Sequence, residues 1–503
     1  MNAVSPRLSL MAGALILLAG CYSNNGGFLD LDEGSGGTGA TGPDGGAAGA
    51  GGDAGNGGAG GSGGAGGSGG AGGSGGSAGS SGSGGNPLTG SWQAPVIIDS
   101  HEGTGLKPSV AIGSSGEVMS VWVQSYLGEY KVWANRYVAA TGWETDVLIG
   151  TTDGNVADLT KTSQPHLVVD DDGITTAAWG DYPNPIVRGL VSRRYAQPDG
   201  WGAEEIIYDG GSTAGDPRLA VDASGRVMAV FATGTGAWAN YYEPGIGWGA
   251  AAIIDNQPGA PAPASVRVAL TPDGNGWAVW SQAPTALLYN VFGNAFDAGS
   301  GWAGAEKVEQ GTTGSALAPR LALDAAGNAT FIWQQTAGLQ YRVWSNRRNA
   351  TSSTFTNPVR IDSASTAYAP AIASAPNGDA TAVWIQSTQA GGTPLQIAVS
   401  RYTPGLGWSA PETLADGGVT NNPRVAMDSQ GNAIVAYTRL APLEDNVDAW
   451  AHTYSAGEWS DAVRLGLDEF TGPAFQPSLA MDASGNAMVV WREGADVWAA
   501  AFE

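Results

Sequence analysis

The chain has 503 residues, a net charge of −24 and 80 glycines, with a single cysteine. A surface this acidic repels nucleic acid and anionic lipid, which excludes both as partners, and it disfavours polyanionic substrates unless local cations override the field. One cysteine excludes any disulfide within the chain, so an exported domain must be held by its core alone.

Residues 1–20 read as a secretory signal, with one positive charge (Arg7), an apolar run from Leu8 to Leu18, and small residues before Cys21. The run is too short to span a bilayer. Its end, "LAGC" (Leu18–Cys21), resembles the bacterial lipobox. The resemblance implies cleavage before Cys21 and acylation of its thiol and new amino group; more than one acyl chain makes a stable anchor in a membrane. In the enterobacterial sorting pattern an Asp after the cysteine retains a lipoprotein at the inner membrane. Here Tyr22 follows, so the resemblance implies an outer-membrane lipoprotein of the cell envelope, facing either the periplasm or the surface.

Residues 21–90 form a linker, and from Gly34 to Gly85 it is almost pure Gly, Ser and Ala. Such a segment buries nothing, so it reads as a disordered, flexible tether. Treated as a coil of about 55 residues, its ends average roughly 40 Å apart. Collagen would need a strict G-X-Y register with proline, which the tract lacks.

From Trp92 onward the chain repeats. Eight units align on Gly116, Gly173, Gly225, Gly274, Gly327, Gly378, Gly431 and Gly485, spaced 49 to 57 residues apart. Eight residues before the glycine stands Pro108, Pro165, Pro217, Pro319, Pro370, Pro423 or Pro477, with Val266 in the fourth unit. Six residues after it stands an aromatic: Trp122, Trp179, Phe231, Trp280, Trp333, Trp384, Tyr437 or Trp491. Each unit resolves into four short strands. "PRLALDAAGNATFIW" (Pro319–Trp333) is a hairpin in which Asp324 can accept backbone N–H bonds and Gly327 can take a positive φ. A third strand follows, then a Gly- and Pro-rich turn and a fourth. Four-stranded repeats of this length predict an all-β fold, an eight-bladed β-propeller over 91–503. The region starts at a fourth strand (Trp92–Asp99) and stops after a third (Val497–Glu503). Pairing the N-terminal strand with the C-terminal three would close the ring and remove exposed strand edges.

The turn before the fourth strand recurs, as in "RYTPGLGW" (Arg401–Trp408) and "AFDAGSGW" (Ala295–Trp302). With its trailing aromatic and polar strand it resembles a degenerate Asp-box (BNR) hairpin of the sialidase-like propellers, a likeness covering residues 92–503 in architecture. Only Asp297 stands near the family's Asp position. The resemblance implies a substrate carboxylate held by three arginines, a Tyr nucleophile assisted by Glu, and an Asp acid/base. The family's F/Y-R-I-P motif is missing from this chain. Arginines do follow the strand-opening position at Arg218, Arg267, Arg320 and Arg424, where other units hold Ser109, His166, Ala371 and Ser478.

These positions open the innermost strand, on the face carrying the variable fourth-to-first and second-to-third connections, where binding commonly resides. Two places after the repeat aromatic stand Gln124, Asp181, Thr233, Gln282, Gln335, Gln386, Arg439 and Glu493, all polar. Together these residues read as a polar channel mouth made locally positive by the arginines. The structural alternative is that strand ends meet water and arginines pair with nearby carboxylates. The tryptophans ending second strands are expected between blades; Trp133, Trp344 and Trp450 on third strands suit either core or a sugar ring. Neither the three histidines (His101, His166, His452) nor "VDDDGI" (Val169–Ile174) has metal-ligand spacing. No metal or cofactor is expected, and no catalytic residue is assigned. The reading is a monomeric, tethered, non-catalytic binding module for a glycan or protein ligand. A sialidase-like exo-glycosidase is the alternative, and a structural envelope component the third.

Overall fold

The hairpin at Pro319–Trp333 folds as its residues dictate: β-branched and aromatic side chains favour strands, and the turn between them is locked by one carboxylate. In the computed structural model its strands are Ala316–Leu323 and Ala329–Ala337. The structure describes residues 87–503 except 152–163, 182–188, 257–262, 286–287, 312, 353, 390–393, 419–422, 441–446 and 468–471. The signal, Cys21 and the Gly-rich tract lie outside the described residues. Asp324 Oδ1 accepts the N–H groups of Ala326 (3.1 Å) and Asn328 (2.9 Å). The same device recurs at Asp170, Asp222, Asp428 and Asp482. All eight aligned glycines are left-handed, with φ from 73° to 99°.

Third and fourth strands, Gln340–Arg348 and Val359–Arg360, complete this antiparallel sheet in chain order. Eight such sheets form an eight-bladed propeller. Blades 1 to 8 open with the innermost strands Thr104–Ile112, His166–Val169, Arg218–Val221, Ala264–Leu270, Ala316–Leu323, Thr366–Ser374, Arg424–Met427 and Ala474–Met481. No helix occurs among the described residues. The ring closes as its phase requires. Val96–Ile97 pairs with Asp496–Phe502 as the fourth strand of blade 8, Val96 opposite Ala499 and Ile97 opposite Trp498.

The core lies between blades rather than within them. Each of the eight interfaces has its own apolar cluster. A blade is therefore covered on both faces, which is why the second strands read as near-continuous apolar runs rather than alternating ones. The repeat aromatics are the wedges: all eight, from Trp122 to Trp491, are fully buried. The recurring Gly-Trp turn stacks on the third strand. Tyr137–Trp143, Tyr195–Trp201, Tyr242–Trp248, Phe296–Trp302, Tyr402–Trp408 and Tyr454–Trp459 pair across the hairpin at 5.1 to 5.6 Å between centroids, edge-on or tilted. Blades are also stitched by a third-strand asparagine. Asn135, Asn240, Asn294 and Asn346 each donate to a carbonyl in or just after the fourth strand of the preceding blade, at 2.8 to 2.9 Å.

Candidate functional site

On the face bearing the variable connections the blades are not alike. In blades 1, 4, 5, 6 and 8 the innermost strand begins before the proline position and pairs again beyond a bulge. A non-glycine residue makes the bulge in each: Lys107, Ser265, Ala318, Ala369 or Gln476, at φ 49° to 55°. That conformation costs on the order of 1 kcal/mol or more, offset here by ladder bonds on both sides. In blades 2, 3 and 7 the innermost strand starts instead at His166, Arg218 and Arg424.

All eight residues of the strand-opening ring are buried, with Arg267 the most exposed at 9%. The four arginines share one posture. Each donates from Nη1 to the carbonyl just before it: Arg218 to Pro217, Arg267 to Val266 and Arg320 to Pro319 at 2.8 Å, and Arg424 to Pro423 at 3.2 Å. Arg218 Nη2 also donates to Gln164 Oε1 at 3.0 Å. Gln164 lies in a connection, and no periodic signal in the sequence marks it. His166 Nδ1 accepts the Leu219 N–H at 3.2 Å, and Ser478 Oγ accepts that of Val110 at 3.3 Å, one stitch used at two blade junctions. Burial, then the charges of Arg218 and Arg267, hold His166 well below its ordinary 6.5. The neutral imidazole is the state in which Nδ1 accepts. Thus His166, Arg218 and Arg267 come together on blades 2 to 4, Arg320 follows on blade 5, and Arg424 stands on blade 7.

The second polar ring has a more specific employment than a rim. Gln124, Gln282, Gln335, Gln386 and Glu493 are buried. Each accepts the indole N–H of the tryptophan two residues earlier, at 2.8 to 3.1 Å. Residues two apart share a strand face, so the pattern W-x-Q could have revealed these pairs in the sequence. Blade 7 varies the theme: Tyr437 O–H donates to His452 Nε2 at 3.1 Å, while His452 Nδ1 donates to the Ser460 carbonyl at 2.9 Å. Burial raises Tyr437 to about 12 and lowers His452. Arg439 lies over Trp450 at 5.7 Å, and Asp181 and Arg439 are half-buried. Trp133, Trp344 and Trp450 pack partly buried against blade-interface clusters, with His101 stacked on Trp133 at 3.6 Å.

Between the inner strands runs a channel with a cavity of about 100 Å³, lined mainly by aliphatic residues together with Arg267, Arg320 and Ser374. That volume lies below the roughly 300–1,000 Å³ of pockets that hold small ligands. Asp297, the lone Asp-box acid, accepts from the N–H of Gly299 (3.0 Å) and of Ser300 (2.8 Å) and from the Ser300 hydroxyl (2.8 Å), which pulls it below its usual range. It ties its own hairpin. Among the described residues no three His, Cys, Asp or Glu side chains gather to hold a metal ion.

The opposite face, where the Asp turns lie, receives the incoming chain. Leu88 N–H donates to Ser455 Oγ at 2.8 Å, and Pro87–Gly90 lies beside the turns at Asp428–Gln430 and Ala483–Asn486.

No family model and no curated protein matches the chain. Among solved structures it is similar to a protein of unknown function from Dyadobacter fermentans, at 15% identity, 82% of this chain, 99% of that one and a TM-score of 0.42. It is also similar to an ulvan lyase of polysaccharide lyase family PL25, at 11%, 76%, 97% and 0.47. The intramolecular trans-sialidase of Ruminococcus gnavus aligns at 12%, 66%, 93% and 0.36. At these scores the likenesses carry nothing about activity; the propeller is established by its own eight sheets.

Proposed function

We propose that the chain is a monomeric, tethered binding module of the cell envelope. In this reading Cys21 carries the lipid anchor at the outer membrane, the Gly-rich tract is the leash, and the variable-loop face engages a glycan or protein ligand. The observation that carries it is the position of Pro87–Gly90 against the Asp-turn face. A leash leaving there turns the opposite face, with its arginines and irregular blades, away from the anchor. A sialidase-like exo-glycosidase is the second reading, favoured by the arc of Arg218, Arg267 and Arg320 on consecutive blades. It is disfavoured by the burial of those guanidiniums and their fixed bonds to their own strands.

The test uses the full chain in detergent on a glycan array, beside a fluorogenic sialoside. The expected result is glycan binding to the full chain without turnover of the sialoside. Turnover of the sialoside would replace this reading with the glycosidase, and silence on both probes would leave a protein ligand. For the anchor, Cys21→Ala is expected to move the protein from the membrane to the soluble fraction; retention at the membrane would refute lipidation.

A further inference from the structure

Blade 5 breaks the hairpin pattern. Its third-to-fourth turn reads "RRNATSSTF" (Arg347–Phe355), without the Gly-Trp pair. Phe355 packs inward, 6.0 Å from Trp277 and 5.7 Å from Phe331. Between the outer strands of blade 5 and the hairpin of blade 6 lies a groove of about 460 Å³. It is several times the channel cavity and within the range that small ligands occupy.

An internal comparison shows what is unusual there. Ser192 of blade 2 and Ser345 of blade 5 hold equivalent third-strand positions, three residues before Tyr195 and Arg348. Trp248 and Trp408 are the Gly-Trp indoles of the blades that follow. At the first junction Trp248 Nε1 donates to Ser192 Oγ at 2.8 Å. At the second the bond is not made. Ser345 is wholly buried and its Oγ has no hydrogen-bond partner, while the Trp408 ring packs edge-on against Tyr402 and against the blade 5–6 cluster. Both residues line the groove. A buried hydroxyl left unpaired costs about 1–3 kcal/mol, a penalty that a ligand hydroxyl would relieve.

The charges of the groove specify the ligand further. Arg360 is chelated by Asp362, Nη2 to Oδ1 at 2.7 Å and Nε to Oδ2 at 3.1 Å. Arg347 lies over Tyr402 at 4.1 Å and 3.6 Å from Asp324. Each cation is already matched by a carboxylate, so the lining offers donors and acceptors without a surplus charge. An indole beside such neutral polar pairs suits a ring with apolar C–H faces and equatorial hydroxyls. A polyanion would meet the general negative field instead.

The geometry points to this groove as a subsite for one neutral hexopyranose residue of a glycan. Trp408 is the stacking platform, and Ser345 Oγ and Arg360 are the hydroxyl partners, with Asp362 holding Arg360 in place. It lies apart from the variable-loop face, so the two sites stand or fall separately. The experiment titrates the full chain in detergent with cellohexaose, laminarihexaose and chitohexaose by calorimetry. At least one is expected to bind, about tenfold more weakly in Trp408→Ala and about threefold more weakly in Ser345→Ala. Ser345→Ala also covers the case in which Trp408→Ala fails to fold. Wild-type affinity in a folded Trp408→Ala or in Ser345→Ala overturns the assignment, as does no heat from any of the three at about 10 mM.

Discussion

Gln386 illustrates how single residues divide between scaffold and site. Its Oε1 satisfies the N–H of Trp384, which is wholly buried between blades. Removing the acceptor strands a donor that water cannot reach. Gln386→Ala is expected to cost about 1–3 kcal/mol, read as a lower denaturation midpoint. Gln386→Glu should cost less, because Glu493 accepts the same bond in blade 8. Gly327 is a cleaner case. A Cβ there would meet only Ala350 Cβ at 3.5 Å and Thr271 Cγ2 at 3.9 Å, so there is room and only the backbone objects. Gly327→Ala should therefore cost about 1 kcal/mol, with no change of fold by circular dichroism. The turn aspartates were legible as turn formers because Asp and Gly at fixed spacing dictate local bonds. The glutamines read from the sequence as a polar rim, because the sequence shows that they are polar and not that an indole stands beside them.

At the scale of elements, the fourth strands end in carboxylates that act as backbone caps. Asp99 Oδ1, Asp255 Oδ2, Glu309 Oε2 and Asp362 Oδ2 accept third-strand N–H groups of their own blades, from Val497, Ala237, Val291 and Val343. Asp99 does this at the seam. Burial, with Asp496 nearby, raises it from 3.8 to about 6, against the lowering effect of the Val497 bond. Folded chain then holds the proton more tightly than unfolded chain. Its contribution is fully present below about pH 4 and is lost as pH rises through about 6, on the order of 1–2 kcal/mol after allowing for partial exposure. Asp99→Asn cannot ionise and keeps an acceptor for Val497. It should melt higher than wild type at pH 8 and together with it at pH 4; a variant less stable at pH 8 would refute the sign. The bulges that set blades 1, 4, 5, 6 and 8 apart from the rest had no signature in the sequence. Lys107, Ser265, Ala318, Ala369 and Gln476 share a left-handed backbone but not a residue type.

For the whole molecule, closure is the property that matters. Two strand residues, extended by Ser91 N–H to the Glu503 carbonyl (2.7 Å) and Gln93 N–H to that of Ala501 (2.8 Å), join the ends of a ring. Deleting 91–99 would leave Asp496–Phe502 as an unpaired edge and uncover the apolar wedge between blades 8 and 1. The shortened chain is expected to lose its sharp melting transition and to elute as aggregate on size exclusion. A monomer with the full-length melting temperature would show that the seam is dispensable. Closure also fixes the two faces, one of regular Asp turns that lies beside Pro87–Gly90 and one of variable connections.

The sequence by itself determined the propeller. Eight glycines that must turn left-handed, eight aromatics six residues later and a chain that starts at a fourth strand and stops after a third specify blade number and seam, because each is a local or counting constraint. Placement of the arginines on one face followed from the same periodicity. Only the tertiary structure decided what those side chains touch. Stacking buries the arginines against their own strands, pairs glutamines with indoles, and leaves Ser345 and Trp408 unjoined where Ser192 and Trp248 meet. Contacts between blades depend on how neighbouring sheets rest against each other, a relation that no spacing along the chain encodes.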